Sequence, residues 1–173
     1  MLRKIVLFII ISICFVLQTT MFQTLSLANI SPNLLIIIVS AFGFMRGKRE
    51  GMLIGFFCGL VVDIFCGFYI GIYALLYMYI GYLNGFFQKY FYPDDIKLPL
   101  LLIATSDLIQ SIFIYLVLFL FRSRFDIGYY FSSIILPELV YTMVITIFLY
   151  FGLLKINQKL EAFEKRRAIK FDL

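Results

Sequence analysis

Three carboxylates, Asp63, Asp107 and Glu138, lie inside long apolar runs of a 173-residue chain. An acid held in hydrocarbon costs about 2.5–3.5 kcal/mol on insertion scales, so each one needs a physical reason. Three kinds of chemistry are open to them. They can hold helices together through hydrogen bonds, meet a polar residue of a partner subunit, or carry a proton or substrate. No Lys or Arg falls within an apolar run, so the chain offers no ion pair at that depth. The cations placed to reach Asp63 and Glu138, which lie toward the outer ends of their helices, are Arg122 and Arg124 at the outer face. Asp107 sits nearer mid-depth, with Ser106, Gln110 and Ser111 as the hydrogen-bonding groups near it in sequence. Gln18 and Asn33 complete the set of polar residues expected within the membrane.

Enzyme chemistry has little to build on. Histidine is absent, which removes the commonest general base and metal ligand. Cys14, Cys58 and Cys66 are odd in number, widely spaced and set in apolar runs, as small core residues are. There is no nucleophile beside a base, no phosphate-cradling loop and no ligand cluster, so a non-enzyme without cofactor or metal is expected. The composition is 63% hydrophobic and 14% charged, against roughly a quarter charged in soluble domains. A net charge of +5 does not mark a nucleic-acid binder, because the basic residues fall between apolar runs and not along one face.

Around Asp63 runs the most informative pattern. Gly47, Gly51, Gly55 and Gly59 recur every fourth residue, Asp63 takes the next step, and Gly67 and Gly71 continue it. Bare glycines let helix backbones approach closely, which is how helices associate in lipid. The line predicts a packing surface, for a neighbouring helix or for a partner protein. It spirals, since four residues overshoot a full turn by about 40°. Gly81 and Gly85 repeat the spacing one segment later, and the short uncharged stretch from Gly67 to Gly71 predicts a helical hairpin.

These residues need elements to position them. Apolar runs at about 5–25, 31–45, 51–67, 71–88, 98–121 and 132–154 predict an all-α polytopic membrane protein of about six transmembrane helices. A span takes about 20 residues. The second run is short, and either crosses a thin or protein-filled region or re-enters. Both termini are expected on the cytoplasmic side, because that arrangement puts thirteen of the fifteen Lys and Arg residues inside. Residues 1–154 then form the transmembrane domain and 155–173 a basic amphipathic cytoplasmic tail, with Ile156, Leu160 and Phe163 on its apolar face. The first run is longer than a signal-peptide core and reads as an uncleaved span. Tyr90, Phe91, Tyr92, Tyr129 and Tyr130 fit aromatic belts at the two interfaces.

The order Leu17-Gln18, then Pro32-Asn33-Leu34-Leu35, then Gly55-Phe56 with Gly59, Asp63, Gly67 and Gly71 at four-residue steps, resembles the rod-shape-determining membrane protein family MreD. Length, number of apolar runs, Arg46-Gly47 and the basic tail agree, so the resemblance covers nearly the whole chain. It implies a non-catalytic inner-membrane component of the bacterial elongation machinery that scaffolds or regulates peptidoglycan synthesis. The implied partners are a bitopic coiled-coil protein of the MreC kind and, through the complex, MreB, the RodA glycosyltransferase and a class B penicillin-binding protein, with membrane lipid around them. The family's fold is similar to the S-component of energy-coupling-factor vitamin transporters. A true S-component is the alternative from another class. Against it, the first run contains no alanine before Ala28, where such proteins usually carry an Ala-x-x-x-Ala docking motif.

On this reading Gly55→Leu or Gly59→Leu should disrupt assembly. Asp63→Asn should be tolerated if the acid is protonated and serves only as a hydrogen-bonding group.

Overall fold

A computed structural model describes residues 2–20, 31–66, 71–92, 96–122, 128 and 131–169. Among these, the side chains of 2–4, 66, 118–122 and 164–169 lie outside the description. Several expectations therefore fall outside it: those on Gly67, Arg124, Tyr129 and Tyr130, and on the side chains of Arg122 and Cys66.

The described chain is all-α, with six α-helices. They are α1 (Leu2–Thr19), α2 (Leu34–Arg46), α3 (Lys48–Cys66), α4 (Ile72–Asn84), α5 (Lys97–Arg122) and α6 (Leu136–Ile169). A 3-10 segment, Gly85–Tyr90, extends α4, and a π-helical turn, Phe131–Ile135, leads into α6.

The expectation of six long spans needs correction. Two stretches, Lys97–Val117 and Phe131–Phe163, are long and apolar enough to cross a membrane by length and composition. Ile5–Thr19 and Leu34–Arg46 are shorter apolar helices. An apolar run in the sequence overstates the helix it becomes wherever a cap or turn takes residues from its ends. Thus α2 and α4 keep 13 residues each, about 20 Å of rise. The helix α3 is longer, but Lys48, Arg49 and Glu50 occupy its first turn and Asp63 its last third.

The short second helix is the centre of the fold. Every residue from Leu34 to Met45 is buried, and α2 touches each of the other five α-helices. A helix that is hydrophobic all round has no face for water, and here protein surrounds it. Ile36, Ile37, Ile38 and Val39 meet Ile54, Cys58 and Val62 of α3, Tyr77 and Ile80 of α4, Ile103 of α5 and Tyr150 of α6 in one core.

The expected hairpin is present as α3 and α4, which share the most extensive contact among the described helices. Its register steps four residues forward on α3 and four back on α4. A Cβ built on Gly51 would stand 2.4 Å from the Gly81 carbonyl oxygen, one on Gly55 2.1 Å from that of Tyr77, and one on Gly59 2.3 Å from that of Tyr73. At the open end, a Cβ on Gly85 would stand 2.4 Å from the backbone nitrogen of Lys48. The obstructing atoms are backbone, which cannot swing aside as side chains do.

Two members of the glycine line act differently. Gly47 lies outside α3: it is the single residue between α2 and α3, at φ +92°. Gly71, at φ +109°, is the N-cap residue of α4 and has open space around its α-carbon. Both occupy left-handed backbone that side chains rarely adopt. They are turn glycines, and among the described residues of the line the packing glycines are Gly51, Gly55 and Gly59.

At the other end of the chain α6 continues through 154 and 155 without a break, as one helix of 34 residues. Asn157 and Leu160 turn inward and are buried, whereas Phe163 is exposed.

Candidate functional site: buried polar contacts at helix ends

A helix leaves its first four N–H groups without partners inside the helix. When that end lies in protein, other parts of the chain must supply acceptors, and two such ends organise most of the polar residues picked out in the sequence.

The first is the start of α2. Pro32 brings no N–H, and Asn33, 3% exposed, is the N-cap. Asn33 Oδ1 accepts from the Ile36 N–H at 3.4 Å and from the Tyr77 hydroxyl at 3.3 Å. Its Nδ2 donates to Gln110 Oε1 at 2.7 Å, and its backbone N–H donates to Thr142 Oγ1 at 3.2 Å. The Leu35 N–H donates to Gln18 Oε1 at 3.2 Å. One helix end is thereby tied to α1, α4, α5 and α6 together.

The second is the start of α4. Asp63, 1% exposed, accepts three backbone N–H bonds. Gly71 and Ala74 donate to Oδ2 at 3.0 and 2.9 Å, and Tyr73 donates to Oδ1 at 3.1 Å. A glycine N-cap has no side chain with which to cap α4, so the carboxylate of the preceding helix does it. Negative charge at a helix N-terminus is favourable, and both oxygens are used. The described groups holding Asp63 are thus backbone amides, while the Arg122 side chain and Arg124, expected to reach it, lie outside the description.

Asp107 and Glu138 lie beside the first of these ends. Asp107, 1% exposed, hydrogen-bonds the Thr142 side chain, while its Oδ1 is buried with no hydrogen-bond partner. Glu138, half-buried in the first turn of α6, accepts from Ser111 Oγ at 3.4 Å. The polar groups near Asp107 in sequence are engaged elsewhere. Gln110 bonds Asn33, Ser111 bonds Glu138, and Ser106 serves Asn84, whose Nδ2 donates to Ser106 Oγ at 2.8 Å and to Ser40 Oγ at 3.4 Å.

Residue types alone missed Tyr77, Asn84 and Thr142. One signal was there to find. Glu138, Thr142 and Thr146 follow at four-residue steps, a polar line on one face of an apolar helix, and Thr142 and Thr146 are fully buried. A further contact, from Arg46 Nε to Asn157 Oδ1, ties the end of α2 to α6.

Among the described residues no group of three or more His, Cys, Asp or Glu side chains is placed to hold a metal ion. The polar side chains join helices to one another. Such an interior, with two helices long and apolar enough to cross a bilayer by length and composition, defines a helical protein of apolar build. The model of the rod shape-determining protein MreD family matches residues 1–160, and the chain belongs to that family. Membership carries with it a membrane-associated role in the cell-elongation machinery and agrees with a non-enzymatic one. Neither a curated protein nor a solved structure matches the chain.

Proposed function

We propose that the chain is a non-catalytic, multi-pass component of the inner membrane that scaffolds or regulates peptidoglycan synthesis within the elongation complex. It is held in the membrane by its long apolar helices with both termini cytoplasmic, and makes its partner contacts through helix surfaces. The partners are an MreC-like bitopic coiled-coil protein and, through it, MreB, RodA and a class B penicillin-binding protein.

The observation that carries this reading is the family match over residues 1–160. The interior supports it. Gln18, Asn33, Asp63, Gln110 and Thr142 all hydrogen-bond within the chain, as helix fasteners do. The outer surface presents large apolar side chains, among them Phe8, Phe65 and Phe148, which suit lipid or the flank of a partner helix. The glycines of α3 are covered by α4 of the same chain, so their contribution to assembly is through the shape of the hairpin.

The test is purification of the tagged protein from its host in mild detergent, with mass spectrometry of what accompanies it. Co-purification of a bitopic coiled-coil protein with wall-synthesis enzymes supports the reading. Recovery of two ATPases and a large transmembrane coupling subunit would replace it with the S-component alternative.

A further inference from the structure

We propose that a basic pocket at one end of the bundle binds the phosphate-bearing headgroup of an anionic membrane lipid. The proposal rests on the membrane location argued above. The pocket lies where α2 ends, α3 begins and the 3-10 extension of α4 passes over them. It has a volume of about 560 Å3, within the roughly 300–1,000 Å3 usual for small-molecule sites. Arg46, Lys48, Arg49 and Lys89 line it, with Gln88 and Tyr90, and among the described residues no carboxylate lines it. Glu50, the acid closest in sequence, lines a separate groove between α1 and α3.

The cations are arranged and not merely numerous. Lys48 Nζ stands 3.4 Å from the centroid of the Phe86 ring and 6.0 Å from that of Tyr82, so ring faces hold its charge in place. Arg46 is held by Asn157 and contributes its field. Arg49 and Lys89 are exposed, from opposite walls. The start of α3 adds the positive end of a helix dipole.

Aromatic residues set the depth. Phe86, Phe87, Tyr90 and Tyr92 are exposed at the same end, as side chains at a headgroup level are. Basic pockets between helices at the cytoplasmic face recognise phospholipid headgroups by charge. A free phosphate ion shares that chemistry but lacks acyl chains to lie along the apolar flanks of α3 and α4.

The test uses the full-length protein in nanodiscs of mixed phosphatidylglycerol and phosphatidylcholine, with retained lipid counted by native mass spectrometry. Preferential retention of phosphatidylglycerol is expected. Lys89→Ala should weaken it about fivefold and the triple Lys48→Ala/Arg49→Ala/Lys89→Ala roughly a hundredfold. Lys155→Ala/Lys159→Ala, changing exposed cations of α6, should leave it unchanged. Equal retention of both lipids, or equal loss in the α6 variant, would overturn the proposal. So would displacement of the lipid by millimolar inorganic phosphate, which would assign the pocket to a free anion. If the triple variant does not fold, Lys89→Ala, at an exposed position, decides alone. Failure of the wild-type chain to enter nanodiscs would instead count against the membrane location itself.

Discussion

At the scale of single residues, Asp63 and Asn33 carry the most. Asp63 was legible as an acid needing an explanation, and hydrogen bonding between helices was among the readings, but the donors were not legible. Reasoning from residue types looks for cations, whereas the amides at the start of α4 belong to no side chain and leave no trace in composition. The geometry reverses one expectation. Asn in place of Asp63 offers one acceptor oxygen where two are in use and turns an NH2 group toward amide donors. Asp63→Asn should therefore lower stability by roughly 1–3 kcal/mol, seen as a reduced midpoint of thermal unfolding in detergent. An unchanged midpoint would mean that the three N–H bonds contribute nothing net. Asn33→Ala removes a cap and two interhelical bonds. Interhelical hydrogen bonds in membranes average only about 0.6 kcal/mol each, but buried donors left without acceptors raise the loss, to roughly 2–4 kcal/mol in all. A conservative Asn33→Asp variant accepts as before but cannot donate to Gln110, so it should fall between Asn33→Ala and wild type in the same assay.

At the scale of elements, the four-residue glycine spacing announced a close helix pair, and α3 with α4 is that pair. What spacing could not reveal is that Gly47 and Gly71 sit at chain turns, because a glycine needed for positive φ and a glycine needed for contact look alike in a sequence. The distinction predicts different outcomes. Gly59→Leu drives a side chain into the backbone of Tyr73 and Ala74 and should abolish folded yield, measured by size-exclusion chromatography. Gly152, in α6, has open space where a Cβ would go. Gly152→Ala should leave yield intact and raise stability by up to about 1 kcal/mol, the helix-propensity difference. Equal effects from the two substitutions would mean that backbone approach is not what the α3 glycines serve. The burial of α2 was half legible. Its uniform apolarity signals a helix without a solvent face, but only topology says that the other five α-helices enclose it.

At the scale of the whole molecule, the all-α class and the positions of the helices follow the apolar runs closely, while the number of long spans does not. Hydropathy registers burial without distinguishing lipid from protein, so α2, enclosed by its own chain, gives the same signal as α5. The partner-bearing surface is least legible, since lipid and a partner helix ask for the same residues. One outcome separates architecture from assembly. Gln18→Ala removes a single bond at the rim of the Asn33 cluster and should leave folding and the co-purified wall-synthesis proteins unchanged. Loss of those partners at normal protein yield would place α1 in the partner contact.

The unbroken α6 has a mechanical consequence. Its 34 residues amount to about 51 Å of rise, while the hydrocarbon layer is about 30 Å thick. If α6 crosses the bilayer as proposed, about 20 Å of one continuous rod would stand clear of that layer, with Asn157 and Arg46 clasping it near its base. A tilt of about 10° inside the bilayer would move the far tip by about 3.5 Å. On the proposed orientation, crowding or strain at the membrane would reach the cytosol as leverage, delivered without any hinge along the shaft.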